Sequence, residues 1–307
     1  MKTSVSLAGG LGNQLFQLFA AASATKTEEI FVERNFGRPN LDGAGRPKAL
    51  MWSFPFNVRM MDNHEQSFLI QKEFNYLLGT SQKIGHDKVR EWFARKSRVM
   101  ASLGLPNSAL ISSTRDFINL LQENRDASCH FLGYFQTRHG IYEYARKNRS
   151  EISLVNIDNA YLNDFVQRLD TQRAVFVHAR LGDYSTERKI GIASTEYYER
   201  CIKQISDQHD ATEIYLFSDD PNRFMSQAPT TLKKRIVFVC DPEIPDYVQF
   251  EMFRKGSTFV LANSTYSWMG AALSDDENPV VYVPRPWFVG QNDPIDLIPS
   301  TWNEVSR

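Results

Sequence analysis

Four short stretches carry residue types that chemistry could use, and each stands where an apolar run gives way to a turn. The first is VFVHARLGDY, Val175–Tyr184. A run fit for burial on both faces leads straight into His178, Arg180, Gly182 and Asp183. In open α/β sheets, ligands gather beyond the carboxyl ends of strands, where such groups emerge. A guanidinium there can grip a phosphate with two parallel hydrogen bonds. Gly182 permits a sharp turn, and Asp183 can orient Arg180 or the loop. The plainer reading makes Asp183 a turn cap and His178 a satisfied interior histidine.

The second stretch is FSDD, Phe217–Asp220, again at the end of an apolar run. A carboxylate at Asp219 or Asp220 can accept two N–H bonds from a guanine edge. Two adjacent acids also suit a metal ion, and an acid before Pro221 suits a helix N-cap. No further acid or histidine cluster has ligand-like spacing, so no metal is expected. The third stretch, LANSTYSWMGAAL, sets Asn263, Ser264, Thr265 and Ser267 at a strand-to-helix junction. Hydroxyls and free amides at a helix start make a phosphate cradle, or else a capping cluster with nothing bound. The fourth is GGLGNQ, with Gly10, Gly12, Asn13 and Gln14 between a strand and a helix. Its glycines would let backbone approach an anion. Gly10 and Gly12 also give the GxG of a dinucleotide site, with Glu33 about 20 residues on. Leu15 occupies the third small position of that fingerprint, and a ligand-free βα turn explains the stretch equally well.

The elements that must position these groups alternate between short β-branched or aromatic runs and helical periods, the signature of βαβ units. The early pattern predicts a strand over Ser4–Leu7, a helix over Gln14–Ala24 and a strand over Ile30–Glu33. Residues 37–60 give no regular period. Later come a strand over Ala174–His178, a helix over Thr195–Gln208 capped by Ser194 or Thr195, and strands over Glu213–Phe217 and Arg235–Cys240. A helix near Tyr247–Lys255, a strand over Thr258–Ala262, a helix from Tyr266 and a strand over Val280–Val283 complete the series. The fold class is therefore α/β. The expected domain cut gives 1–170 and 171–307, with the last ~20 residues packing back on the first domain.

With 35 basic and 36 acidic residues the net charge is −1, so no global field recruits nucleic acid and any anion must be held locally. The three cysteines are far apart and form no CxxC pair, which fits a reducing compartment better than a disulfide framework. No apolar stretch approaches the roughly 20 residues needed to cross a bilayer. The expectation is a cytoplasmic protein. The basic amphipathic stretch Val89–Met100 is a candidate for peripheral contact with the inner membrane, or an ordinary packed helix with Trp92 and Phe93 inward.

Taken together, the motifs resemble those of the bacterial α-1,2-fucosyltransferases, glycosyltransferase family 11. That family carries GGLGNQ-F, GYxQS, HxRRGDY, FSDD and NSSFSWWGA in this order. Here they stand as Gly9–Phe16, Gly133–Thr137, His178–Tyr184, Phe217–Asp220 and Asn263–Ala271. The resemblance implies a GT-B fold, two Rossmann-like domains facing across a cleft, with the donor mostly on the C-terminal one. It implies metal-independent inverting transfer of L-fucose from GDP-fucose, a substrate, to the 2-OH of a β-galactoside in a surface glycan such as an O-antigen or in an oligosaccharide, with no cofactor. By the same resemblance Arg180 contacts the β-phosphate, Ser264, Thr265 and Ser267 share the pyrophosphate, and His178 with Asp219 or Asp220 reads guanine. The Gly10–Gln14 loop closes over the donor. Asp183, ahead of Glu187 and Glu251, is the candidate base.

Two positions depart from the pattern. Leu181 replaces the second arginine, leaving Arg180 alone unless Arg138, Arg173 or Arg285 substitutes, and Met269 replaces a tryptophan. Losing a preorganised charged donor costs about 2.7–4 kcal/mol of transition-state stabilisation in other enzymes, unless position 181 packs behind Arg180. The competing readings are an NAD-type oxidoreductase built on Gly10–Leu15 and Glu33, and a non-catalytic nucleotide- or glycan-binding relative suggested by Leu181. The acceptor choice falls to residues 37–130, with Tyr134 and Gln136 nearby.

Overall fold

The computed structural model describes residues 3–25, 27–33, 41, 45, 47–61, 108–111, 113–123, 128–155, 159–182, 190–208, 213–241 and 243–307. Asp183, Tyr184, Glu187 and the Val89–Met100 stretch lie outside the described residues. The chain forms two compact units, 1–50 with 54–136, and 51–53 with 137–307. The boundary thus falls at 136, ahead of the expected 170. The reason lies in the helix Ile141–Asn148 and the helix Ala160–Arg168, which the sequence pattern assigns to the first domain. Tyr142 of the former packs edge-on against Trp268 in the helix Thr265–Ala272, and Phe165 of the latter against Phe176 of the second sheet, so both helices belong to the second unit.

The first unit holds β1 (Thr3–Ser6), α1 (Leu11–Thr25), β2 (Glu29–Glu33), β4 (Asn57–Met60), β5 (Ser108–Ile111), α2 (Thr114–Glu123) and β6 (Ser128–Phe131); β3 (Trp52–Ser53) belongs to the second unit. Its sheet has the order β4-β2-β1-β6-β5 and is parallel throughout. The β4 strand lies in the stretch 37–60, which has no regular period. Helix α1 begins at Leu11, three residues before the expected start, because the Gly10 carbonyl already accepts from the Gln14 amide at 3.0 Å. Its apolar positions Leu15, Phe16, Leu18 and Phe19 are buried, which anchors the turn that precedes it.

The second unit continues with α3 (Ile141–Asn148), β7 (Ser153–Leu154), α4 (Ala160–Arg168), β8 (Ala174–Ala179), α5 (Thr195–Gln208), β9 (Glu213–Ser218), α6 (Pro221–Gln227), α7 (Thr230–Lys233), β10 (Ile236–Val239), α8 (Asp246–Phe253), β11 (Thr258–Val260), α9 (Thr265–Ala272), β12 (Val280–Arg285) and β13 (Asn303–Ser306). Its parallel sheet runs β10-β9-β8-β11-β12-β13. Strand β8 is buried along its whole length, as an apolar run in the middle of a parallel sheet requires. Helix α5 buries Tyr197, Tyr198, Cys201, Ile202 and Ile205 against it, and the Ser194 hydroxyl caps the helix by accepting from the Tyr197 amide. The final stretch was expected to pack on the first domain. Within the expected span 1–170 it meets Arg138 and His139 through Asp296 and Tyr142 through Trp302, residues that belong to the second unit, and it also supplies β13, which pairs with β12.

Two parallel-sheet units of this kind satisfy the α/β, Rossmann-like half of the GT-B expectation. In each sheet the chain starts near the centre, builds to one side, then crosses over to build the other. The order therefore reverses between β1 and β6 in the first unit, and between β8 and β11 in the second. At such a reversal the loops leaving the two central strands diverge and open a crevice at their carboxyl ends. All three cysteines are buried, and none is in a disulfide among the described residues.

Candidate active site

At the order reversal of the second unit, residues 178–182 follow from the carboxyl end of β8 and residues 263–267 from that of β11. Arg180 is held from behind. Its Nε lies 3.2 Å from Asp219 Oδ2, and its side chain remains about one third exposed. Asp219, at the end of β9, also accepts from the Leu181 amide at 2.8 Å and the Gly182 amide at 3.1 Å. The carbonyl of Leu181 in turn accepts from Arg223 Nη1 at 2.8 Å. One carboxylate and one guanidinium therefore fix both amides and the Leu181 carbonyl of the turn beyond Arg180. Gly182 is needed for this grip, since a Cβ at that position would lie 2.7 Å from Asp219 Oδ2.

These contacts give Asp219 and Asp220 other tasks than the guanine reading expected of them. Asp219 is the clamp just described. Asp220 is the N-cap of α6, accepting from the Arg223 amide at 3.0 Å ahead of Pro221, which was the plain alternative. Leu181 is 4% exposed and packs with Val177, Ala179 and Tyr198 in the core cluster behind the crevice. Position 181 thus serves packing, and Arg180 is the side chain presented outward.

His178, the fifth residue of β8, is 5% exposed. Its ring stacks on Tyr266 at 5.3 Å and meets the edge of Phe253. Burial, aided by the neighbouring Arg180 charge, lowers its pKa to about 3, so the imidazole is neutral at physiological pH. Nδ1 is buried with no partner among the described residues, whereas buried polar atoms are ordinarily satisfied. Tyr266 is the second residue of α9, so the His178–Tyr266 stack sets the end of β8 against the start of that helix. Ser264 is the N-cap there, but its side chain makes no capping bond. The first amides of α9 are therefore not satisfied by the residue best placed to do so.

Two members of the expected pyrophosphate cradle turn inward. Ser267 is fully buried and directs its hydroxyl to the carbonyls of Ser264 and Ala262, at 3.2 and 3.4 Å. Asn263 is 1% exposed, and its Nδ2 reaches the carbonyls of Ile190, Gly191 and Trp287 at 3.0–3.2 Å. Ser264, also buried at 5% exposure, and the half-buried Thr265 stand at the start of the helix.

The crevice of the first unit gathers two other motifs. Gly9 has φ +71°, and a Cβ there would lie 2.8 Å from the Asn13 amide and 3.4 Å from the Tyr134 ring. Asn13 Oδ1 accepts from Gln136 Nε2 at 3.2 Å. The turn after β1 and the GYFQT segment after β6 are therefore joined. Gln14, by contrast, is wholly buried. Its Nε2 donates to the Gly9 carbonyl at 2.9 Å and its Oε1 accepts from the Ala49 amide at 3.0 Å. It shapes the glycine turn from within.

No protein-family model matches the chain. It is 35% identical over 126 residues to an O-antigen biosynthesis glycosyltransferase, WbnK, of Escherichia coli, a match that covers 38% of this chain and 39% of that protein. It is 24% identical over 315 residues to an alpha-1,2-colitosyltransferase of Escherichia coli, covering 98% of both chains. The chain is a homologue of glycosyltransferases. Among solved structures, the fucosyltransferase NodZ from Bradyrhizobium gives a TM-score of 0.49 at 11% identity, covering 88% of this chain and 92% of that one. That score is too low to bear on activity.

Two further residues at the turn beyond β8 were not found by sequence reasoning. Arg223 and Tyr198, whose hydroxyl donates to the His178 carbonyl at 3.1 Å, carried no motif signal at all. Glu251, a candidate base, is buried in a structural knot instead. It pairs with Arg254 at 3.0 Å and Lys255 at 3.1 Å and accepts from Trp52 Nε1. Of the arginines considered as substitutes for a second phosphate ligand, Arg173 pairs with Glu213, and Arg285 pairs with Asp293 and Glu304. No helix among the described residues is long and apolar enough to cross a membrane.

Proposed function

We propose that the chain is an inverting glycosyltransferase that moves L-fucose from GDP-fucose to the 2-OH of a β-galactoside, in the assembly of an O-antigen or a similar glycan. The observation that carries this reading is the Asp219 clamp. It presents Arg180 at the carboxyl end of β8, beside the start of α9, where no side chain of the cap residue occupies the helix amides. A diphosphate leaving group needs a fixed positive charge and oriented N–H donors where negative charge develops. The α-1,2-colitosyltransferase relative supports the 1,2 linkage, and the ordered motifs support GDP-fucose as donor.

In this reading the acceptor hydroxyl attacks the anomeric carbon as the bond to the diphosphate breaks. The bonding pair leaves with GDP, and Arg180 and the α9 amides stabilise it. The transition state is loose and oxocarbenium-like, so charge stabilisation outweighs base strength. In the same reading His178, neutral and with Nδ1 unpartnered among the described residues, meets a group of the donor, and Ser264 and Thr265 meet the diphosphate. Asp183 follows Gly182 and remains the first choice for a base. Transfer proceeds without a metal ion.

The test is a transfer assay with purified protein, GDP-fucose and GDP-colitose as donors, and a panel of β-galactosides, with and without EDTA. The linkage of the product is read by NMR. Transfer of fucose in the presence of EDTA, with a new α-1,2 linkage, is the expected result. GDP binding by calorimetry without turnover of any donor would favour a non-catalytic relative, and saturable NADH binding in place of GDP would remove the proposal.

A further inference from the structure

The first unit carries a large aromatic side chain that its own core does not absorb. Tyr134 lies just past the carboxyl end of β6, at the order reversal between β1 and β6, and is 51% exposed. Its neighbour Phe135 is buried and packs against Phe117 and Phe131, with ring centroids 5.8 Å apart in each pair. Phe135 has φ +48°, in the left-handed region that a bulky residue seldom adopts. Such strain persists only where the surroundings over-determine it, and it gathers at ligand sites. Here the buried Phe135 ring pins the turn. Tyr134 and Gln136 stand on either side of it, the first exposed and the second half-buried.

The turn after β1 is shaped to receive the tyrosine ring. Gly9 has φ +71°, and a Cβ there would lie 3.4 Å from Tyr134 Cε1 and 2.8 Å from Asn13 Nδ2. The bare backbone of Gly9 therefore lets both side chains close over it. Gln136 Nε2 donates to Asn13 Oδ1 at 3.2 Å, which fixes the two amides beside the ring. That bond uses one donor of Gln136 and one acceptor site of Asn13, so the pair keeps the capacity both to donate and to accept.

An aromatic ring beside two neutral amides suits a neutral polyol. The ring covers C–H groups, and the amides serve hydroxyls in both directions. A β-galactoside offers the matching shape, because its axial 4-OH leaves a patch of ring C–H groups on the opposite face. Resting on the transfer reading above, we propose that Tyr134 is the stacking platform for the acceptor galactose, with Asn13 and Gln136 holding its hydroxyls. The contact forms when the acceptor binds and persists through the reaction, so its loss raises acceptor KM and spares donor KM.

The test compares wild type with Tyr134→Ala and Tyr134→Phe in acceptor and donor kinetics, and in saturation-transfer NMR with methyl β-galactoside. Tyr134→Ala is expected to raise acceptor KM about tenfold, the size of one aromatic contact, with donor KM within about threefold of wild type. Tyr134→Phe keeps the ring, and its acceptor KM should stay within about threefold of wild type. By NMR, the C–H protons of the patch should receive saturation from wild type and from Tyr134→Phe, and lose most of it with Tyr134→Ala. An unchanged acceptor KM in a folded Tyr134→Ala variant overturns the proposal. An equal rise in both KM values also overturns it, by setting the ring against the donor. Loss of the cooperative melting transition does the same, by assigning Tyr134 to stability. If wild type turns over no nucleotide sugar, the transfer reading fails on its own. The NMR comparison then decides whether the platform exists, and equal saturation from wild type and Tyr134→Ala, or none from either, refutes it.

Discussion

Replacing Asp219 with asparagine separates the two tasks this residue has been given, guanine reading and loop clamping. The carboxylate accepts from the Leu181 amide, the Gly182 amide and Arg180 Nε. Asparagine can keep one acceptor, the oxygen facing the Leu181 amide. Its NH2 then faces the Gly182 N–H and the Arg180 Nε–H, so both of those contacts become donor against donor. A hydrogen bond to a charged group contributes ~1.5 kcal/mol at the low end, which suits a side chain 21% exposed. The Arg180 pair, with the arginine 35% exposed, adds only ~0.5 kcal/mol once solvent screening is allowed for. The sum is about 2 kcal/mol, or roughly 4–8 °C in Tm for a cooperative unit the size of the second one, residues 51–53 with 137–307. Arg180 then loses its fixed orientation, and kcat should fall by about 10²-fold. The assay combines calorimetric melting, initial rates of GDP release, and the affinity ratio of GDP to IDP, which lacks the guanine amino group. A clamp leaves that ratio unchanged. A kcat within about threefold of wild type, together with a collapsed GDP preference, would refute the clamp and restore the guanine reading.

Three further outcomes are expected from the same geometry. Leu181→Arg, which restores the residue found in the fucosyltransferase motif, should leave kcat no higher and cost several kcal/mol by placing a guanidinium among Val177, Ala179 and Tyr198; a raised kcat at unchanged Tm in a melting and rate comparison would contradict this. Gly182→Ala sets a methyl 2.7 Å from Asp219 Oδ2 and should cost about 1–3 kcal/mol in denaturant unfolding, with a parallel loss of rate; a neutral result would mean the clamp is looser than the structure shows. The low pKa of His178, about 3, means that the unfolded chain binds a proton that the folded chain does not between that value and about 6.5. Its contribution to stability is therefore intact above pH 6.5 and is lost as pH falls toward 3, with a limiting slope of ~1.4 kcal/mol per pH unit. Denaturant midpoints from pH 7 to 4 should fall less steeply in His178→Gln than in wild type, and identical slopes would exclude His178 as the cause.

Much of the frame was legible in the sequence because local patterns determine it. The short β-branched and aromatic run Ala174–Ala179 reads as a strand from its own pattern, and the period of Tyr197–Ile205 makes a helix at the expected residues, Thr195–Gln208. The motif at each strand end was legible for the same reason. Short pieces were not. Strands β4 and β13 carry four residues each and no distinctive period, and they exist because a neighbouring strand offers them hydrogen bonds. The domain boundary was missed because which sheet a helix covers depends on long-range packing, as for Phe165 on Phe176 and Phe238.

The sequence by itself determined which residues have the chemical capacity to act, and that they lie where strands end. Tertiary structure decided which of those capacities are already used. FSDD shows two acceptors, but only the fold brings the Leu181 and Gly182 amides to Asp219 and leaves Asp220 to cap a helix. HARLGDY shows one arginine where its resemblance expects two, but only the packing shows that position 181 faces the core and Arg180 the crevice. NST shows polar groups at a helix start, but only the fold turns Asn263 toward the 190–191 turn and leaves Ser264 and Thr265 at the start of the helix. The physical reason is common to all three. A side chain's donors and acceptors are written in the sequence, whereas their partners come from strands, helices and loops distant along the chain, brought together here around β8 by its pairing with β9 on one side and β11 on the other.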